Sequence, residues 1–169
     1  MAAPLKRLAL DTNILLDLAS GEDFAHDFRE TFQERGYALW VPPTVVAELT
    51  HQASERESET QQLALAALQS LLSWGIRPYD LKAVGHGITE SFAKYLIRER
   101  LLPDNEFHDG VILAETALGD IPILATSDKH LLNMDESDLK PAFDAQDLMQ
   151  VTPLHPRNLR RALLRKRSG

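Results

Sequence analysis

The sequence contains no cysteine and no long uncharged apolar run. Among its 169 residues there is no thiol, which excludes disulfides, cysteine nucleophiles and metal centres held by thiolates. The apolar segment at residues 8–18 is interrupted by Asp11 and Asp17, so we predict neither a membrane span nor a signal peptide. We therefore expect a cytoplasmic protein in which any metal is held by carboxylates or histidines.

Positive charge is scarce except at the C-terminus. The net charge is −7, yet the chain from Arg157 onward has six basic residues and no acid, whereas the preceding part has 12 basic and 25 acidic residues. A basic C-terminal helix at residues 156–167 is one candidate contact for nucleic acid. The alternative is a solvated helix end that serves only solubility. The basic residues are Arg157, Arg160, Arg161, Arg165, Lys166 and Arg167.

Apolar runs and turn residues alternate along the chain in a strand-then-helix order. Hydrophobic residues make up 44% of the sequence, enough for one domain spanning residues 1–169. The alternation predicts an α/β fold, a three-layer α/β/α sandwich with a mostly parallel central sheet. The predicted strands are residues 5–10, 37–41, 76–79, 121–125 and 149–152.

Helices are predicted between these strands from spacing and capping residues. Phe24, Phe28 and Phe32 recur at a spacing of four, which predicts a helix that ends near Gly36. Thr44 is the predicted cap of the next helix, and residues 50–62 are left without an assignment. Further helices are predicted at residues 63–74 with Leu65, Leu68 and Leu72 inward, after a Gly85-His86-Gly87 turn at residues 88–100, and at residues 105–118, with a loop after Asp128.

Four acids stand at the boundaries of these elements: Asp11, Glu48, Asp109 and Asp128. Asp11 and Asp128 follow strands, and ligands of parallel sheets bind beyond the carboxyl ends of the strands. Four carboxylates brought together there would repel one another unless a cation compensated. Carboxylate oxygens favour hard cations. We therefore predict a site for Mg²⁺ or Mn²⁺.

Each acid also has a simpler explanation. Asp11 could be only a helix cap, Asp109 only a charge favourable to the helix dipole, and Asp128 only a turn residue. Glu106 lies one turn before Asp109 and is interpreted first as a cap residue and second as an auxiliary ligand. The histidines His51, His108 and His130 show no zinc-binding spacing.

Four short motifs together resemble a known family. They are Asp11-Thr12-Asn13 and the segments PTVVAEL at residues 43–49, DGVILAETA at 109–117 and LATSDK at 124–129. In this order they are similar to the PIN-domain family of metal-dependent nucleases. The resemblance implies a magnesium- or manganese-dependent endoribonuclease, of the kind known as the toxin of toxin–antitoxin pairs.

The resemblance also implies roles for individual residues. Asp11 and Asp109 match direct metal ligands, and Glu48 and Asp128 match acids that bind metal directly or through water. Many members carry a basic residue where Ser127 stands, which implies that one phosphate contact is missing here. The polar residues at matching positions beside the acids are Thr12, Asn13, Thr126 and Ser127.

The resemblance implies partners as well as a substrate. It implies an RNA substrate, a homodimer formed through residues 63–72 or 88–100, and an antitoxin protein that places an Arg against the acids. Two rival functions remain. A haloacid-dehalogenase-type phosphohydrolase needs a second Asp where Asn13 stands, and a catalytically inactive PIN-like module that binds nucleic acid or protein would not need an intact set of acids.

Overall fold

A five-stranded parallel sheet forms the centre of the molecule, in the order β3-β2-β1-β4-β5. The computed structural model describes residues 6–165. The strands are β1 Lys6–Leu10, β2 Tyr37–Val41, β3 Ile76–Pro78, β4 Ile123–Ala125 and β5 Thr152–Leu154. Every pairing is parallel. The predicted fold class is therefore confirmed.

Nine helices lie within residues 6–165. They are α1 Thr12–Ala19, α2 Asp23–Glu34, α3 Pro43–Ser54, α4 Glu59–Ser70, α5 Ala83–Arg98, α6 Phe107–Leu118, α7 Lys129–Leu132, α8 Glu136–Ala145 and α9 Pro156–Arg165. None of these helices is long and apolar enough to cross a membrane.

The helices cover both faces of the sheet. Helices α1 to α4 pack together, with α9 against α2, while α5 packs on α6 and reaches α8 through the stacked rings of Phe92 and Phe143. Leu8, Ala9 and Leu10 of the central strand are completely buried. Since side chains of a strand alternate between faces, their burial means that both faces of the sheet are covered.

Two predicted details of the helices are wrong. Gly85-His86-Gly87 is not a turn but lies inside α5, which begins at Ala83. The buried residues of α4 are Ala64 and Ala67, whereas the predicted inward residues Leu65 and Leu72 are 43% and 84% exposed. Small alanine side chains allow α4 to pack closely on α1 and α3, which explains this choice of face.

The segment after β4 also differs from the prediction. The expected loop contains α7 and α8, whose N-termini are capped by Asp128 and Asp135. Strand β5 begins at Thr152 rather than near Met149 and includes Pro153. Proline lacks an N–H donor and is tolerated because β5 is at the edge of the sheet. The predicted residues Leu5, Lys166 and Arg167 lie outside the described part of the chain.

Candidate metal centre

Asp11 lies at the carboxyl end of the central strand, where β1 passes into α1. Its backbone N–H donates to the carbonyl oxygen of Ala125 at 3.0 Å, which fixes it beside the end of β4. Its side chain caps α1 by accepting a hydrogen bond from the Thr12 N–H at 2.8 Å. Asp11 is 3% exposed. Asp11 is therefore the predicted cap, and its carboxylate is also placed at the ligand-binding edge of the sheet.

Thr126 links Asp11 to the turn after β4. Its hydroxyl donates to Asp11 Oδ2 at 2.7 Å and accepts from the Asp128 N–H at 3.0 Å. Asn13 Nδ2 donates to the same Asp11 oxygen at 3.3 Å, and Asn13 Oδ1 accepts from the Ser127 N–H at 3.0 Å. These bonds hold the α1 N-terminus and the turn after β4 in one arrangement.

Glu48 approaches the same edge from α3. The Thr12 hydroxyl donates a short hydrogen bond to Glu48 Oε2. Glu48 Oε1 lies 3.7 Å from His108 Nδ1, and the Glu48 side chain is 25% exposed. Thr12 therefore links the two acids, since its hydroxyl bonds to Glu48 and its N–H bonds to Asp11.

The tightest group of carboxylates comprises Glu106, Asp109 and Asp128, which can each offer an oxygen within 4.8 Å of the others. Asp109 lies in the first turn of α6 and is 8% exposed. Glu106 occupies the N-cap position of α6, but its side chain makes no capping hydrogen bond there. Glu106 therefore lies at the cap position predicted first, and its second predicted role, as an auxiliary ligand beside Asp109 and Asp128, stays a prediction.

Burial and mutual repulsion raise the pKa of Asp11 and Asp109, the two most buried acids of the centre. Burial is the main cause at Asp11, where the pKa rises to about 6 although Thr126 and the Thr12 N–H stabilise the charge. At Asp109 burial and then the charges of Asp128 and Asp11 hold the pKa well above its usual range. Without a cation this group of acids therefore retains protons that free carboxylates would have lost at neutral pH.

The residues present fit a hard divalent cation. Asp109 Oδ2 is buried and, within residues 6–165, has no hydrogen-bond partner. An unpaired buried carboxylate oxygen is costly, and a cation would satisfy it. Oxygen-only ligands from several carboxylates are the donor set of Mg²⁺ and Mn²⁺ rather than of zinc, which prefers histidine and cysteine.

Comparison with known proteins identifies the family. The PIN-domain model matches residues 8–137, which include all the acids described above. The chain belongs to the PIN-domain family. The family resemblance of the four sequence motifs is therefore confirmed. A search of curated proteins gives no match.

Solved structures show that the PIN fold extends over most of the chain. The structure of VapBC2 from Rickettsia felis, bound to a DNA fragment from its promoter, aligns with a TM-score of 0.61 at 17% identity and covers 88% of this chain and 98% of that one. The structure of FitAcB from Neisseria gonorrhoeae aligns with a TM-score of 0.53 at 17% identity, over 88% and 97%. At this identity the likeness concerns the fold.

The basic helix of this PIN domain packs against α2. Arg157, Arg160 and Arg161 line a cavity of about 450 Å³ together with Phe24 and Leu164. The Arg157 guanidinium lies 4.9 Å from the centre of the Phe24 ring. The structure places these arginines in a separate basic groove and not among the carboxylates. Arg165 is exposed at the end of α9.

One buried acid and one cavity were missed from the sequence. Glu115 is 1% exposed, and it accepts hydrogen bonds from the N–H and hydroxyl of Thr44, so Thr44 is not the cap predicted for α3. Pro42 holds that position instead. The sequence signal for a buried Glu115 was its position, as an acid within the mainly apolar run at residues 111–117. Near Glu48, a cavity lined by Gln52 and His51 had no sequence signal.

Proposed function

We propose that this PIN-domain protein is a Mg²⁺- or Mn²⁺-dependent endoribonuclease that acts in the cytoplasm. The catalytic residues and metal ligands are Asp11, Glu48, Asp109 and Asp128, with Glu106 as an auxiliary ligand. The observation that carries the proposal is the unpaired, buried Oδ2 of Asp109 beside the carboxylates of Glu106 and Asp128. Residues 1–169 form one nuclease domain.

The reaction is in-line hydrolysis of an RNA phosphodiester. Water attacks phosphorus, the P–O3′ bond breaks, and the products carry a 5′-phosphate and a 3′-hydroxyl. When bound, a divalent cation would lower the pKa of a coordinated water and offset charge on the phosphate. Asp11 and Asp109 would hold it directly, whereas the partly exposed Glu48 and Asp128 would hold it directly or through water.

The polar residues around the acids position them for this reaction. Thr126 and Asn13 fix Asp11 Oδ2 through hydrogen bonds of 2.7 and 3.3 Å. Thr12 orients Glu48 through its hydroxyl. Ser127 donates its N–H to Asn13, which leaves its hydroxyl available for substrate. Such supporting contacts keep ligands in place and tune their basicity.

Cleavage of RNA by the purified protein tests the proposal. We expect cleavage in Mg²⁺ or Mn²⁺ that stops in EDTA, with products bearing a 5′-phosphate. Asp11→Asn should reduce the rate by roughly 10²-fold or more, since it removes a ligand charge. The matched control is Asp17→Asn on the same helix, which should keep full activity. Undiminished cleavage by the Asp11 variant would refute the assignment.

The second candidate function is a catalytically inactive interaction module. The intact set of acids disfavours it, because a module without metal chemistry has no need to bury mutually repelling carboxylates. Calorimetric titration with Mn²⁺ separates the two. The nuclease should bind Mn²⁺ with measurable heat that Asp109→Asn abolishes, while an inactive module that lacks a metal site should give no heat.

The basic groove is proposed to contact the RNA backbone outside the centre. Arg161 is exposed and carries a charge that phosphate would neutralise. Arg161→Glu should raise KM several-fold and leave kcat unchanged. It should also reduce the slope of the logarithm of the binding constant against the logarithm of salt concentration by about 1. Equal KM values and salt slopes for variant and wild type would support the alternative, a helix that serves solubility.

A homodimer is proposed on the evidence of exposed apolar residues. Leu65 and Leu72 are exposed within residues 63–72, and Ile88 is exposed at the start of residues 88–100, so both predicted surfaces remain candidates; Val84 is exposed on α5 just before the second surface. Light scattering of the wild type should give the mass of two chains. Leu72→Ser should give monomers if the α4 surface is used, and Val84→Ser if the α5 surface is used. A monomeric wild type would contradict the proposal.

The antitoxin partner is proposed to be encoded next to this protein. VapBC2, which shares the fold, is bound to promoter DNA in its structure. A small DNA-binding protein encoded immediately upstream would place an Arg against the acids and block cleavage. Co-expression should abolish RNA cleavage by the purified complex, and cleavage that persists in the complex would exclude inhibition of this kind.

A further inference from the structure

A second feature of the centre is a cavity of about 390 Å³ that opens beside Glu48. It is lined by Thr44, Ala47, Glu48, His51, Gln52 and His108. The volume lies in the range of roughly 300–1,000 Å³ that is usual for small-ligand pockets. Glu48 belongs both to this cavity and to the group of acids, so a ligand in the cavity would lie next to the reacting phosphate.

Gln52 lines the cavity with a side-chain amide that has an unused acceptor. Its Oε1 has no hydrogen-bond partner anywhere in the described chain, but this atom is itself buried and is not exposed to the cavity in this rotamer. A buried amide oxygen without a partner is costly, so such oxygens are normally paired. A side-chain amide presents one acceptor and two donors in a plane. Turning of the side chain would bring this oxygen to a planar ligand with an N–H group at its edge.

Two imidazole side chains line the cavity together with Gln52. The side chains of His51 and His108 are 77% and 69% exposed, and they reach the cavity from α3 and α6. Exposed imidazole faces stack with nucleobases and contribute to their binding. The Ala47 side chain adds an apolar surface. The cavity therefore combines aromatic rings that can stack on a base with an amide that can hydrogen-bond to the edge of the base. These are the groups that recognise an unpaired base.

We propose that this cavity binds the nucleobase adjacent to the scissile phosphate, with the Gln52 amide on the base edge and His51 and His108 on its faces. This base subsite rests on the proposed nuclease function, and it assigns the choice of cleavage position to residues that hold no metal. A protein segment in the cavity is the competing outcome.

Nucleotide binding tests the subsite without requiring cleavage. Nuclear magnetic resonance titration of the wild type uses AMP, GMP, CMP and UMP, with ribose 5-phosphate as the probe that lacks a base. We expect the nucleotides, and not ribose 5-phosphate, to shift the Gln52 side-chain amide and the imidazole signals of His51 and His108. Equal shifts with ribose 5-phosphate, or none with any nucleotide, would overturn the proposal and leave a protein segment as the occupant.

Variants separate base recognition from folding. Gln52→Ala and His108→Ala should weaken nucleotide binding by about fivefold or more. His108→Phe, which keeps a ring face, should retain it, whereas Gln62→Ala on α4 serves as the control outside the cavity. Unchanged affinity in Gln52→Ala, with an unchanged melting temperature, would also overturn the subsite.

Cleavage of a random-sequence RNA supplies the second readout. The wild type should prefer particular bases beside the cut, and Gln52→Ala should flatten this preference and raise KM at unchanged kcat. A preference that survives in Gln52→Ala would contradict the subsite although the nuclease stands. If the wild type cleaves no RNA, the proposed nuclease function fails, and the nucleotide titration still decides whether the cavity binds a base.

Discussion

The hydroxyl of Thr44 donates a hydrogen bond of 2.8 Å to Glu115 Oε2, and the Thr44 N–H donates one of 3.0 Å to Glu115 Oε1. The pair joins the first turn of α3, which carries Glu48, to α6, which carries Asp109. Because Pro42 has no side-chain acceptor for capping, Glu115 serves the N-terminus of α3 instead. This contact sets the distance between two of the acids of the centre.

Glu115 should make stability depend on pH. Burial raises its pKa to about 6, so the folded state binds the proton more tightly than the unfolded state does. Its contribution is then greatest at low pH and is lost as the pH rises toward 6, by about 2 kcal/mol in all. Glu115→Gln cannot titrate; its Oε1 can still accept from the Thr44 N–H, and its Nε2 can donate to the Thr44 hydroxyl. Denaturation at about pH 4 and pH 7 should show the wild type losing about 2 kcal/mol relative to the Gln variant.

Replacing Asp109 should stabilise the protein without metal. Burial is the main cause that raises its pKa to about 9, so at neutral pH the folded state must keep a proton that the unfolded state loses, and Asp109→Asn removes this cost. In EDTA at neutral pH we expect the melting temperature to rise by several degrees. In Mn²⁺ the order should reverse, because only the wild type gains binding energy. A variant that melts below the wild type in EDTA would contradict the cause assigned to this pKa.

Metal affinity should increase with pH. Asp11, with a pKa of about 6, and Asp109 must lose protons before they can bind a cation. Calorimetry in buffers of different ionisation enthalpy should reveal proton release on Mn²⁺ binding. The apparent affinity should increase from about pH 5, as Asp11 loses its proton, and should continue to increase above pH 7, since the pKa of Asp109 is about 9. Affinity that does not change over this range would show that these acids are not the ligands.

Gly110 should be required for the contact between α5 and α6. A Cβ placed there would lie 2.9 Å from both Cα and Cβ of Ala93. Gly110→Ala should therefore destabilise the fold by about 1–3 kcal/mol through overpacking. The control is Gly87→Ala in α5, where a Cβ meets open space. This change should increase the free energy of unfolding by about 0.5–1 kcal/mol. Urea denaturation of both variants provides the measurement, and equal effects would exclude a steric cause.

The sequence by itself indicated the order of the five strands and the edge of the sheet to which Asp11 and Asp128 are brought. Strand β2 at residues 37–41 and the buried Phe28 and Phe32 of α2 follow from local periodicity and turn residues. Asp11 and Asp128 follow strands of a parallel sheet, so topology alone brings them to one edge. Local rules sufficed wherever one residue and its neighbours along the chain decide the outcome.

Tertiary packing decided what those rules missed. Gly85 and Gly87 lie in a helix because α5 packs along α6, and Leu72 is exposed because alanines make the close contact of α4. That Glu115 is paired with Thr44, and that Gln52 Oε1 is left unpaired, could not be read from the chain. A buried polar group is paired or unpaired only once distant segments meet, and no local pattern records which segments will supply its partner.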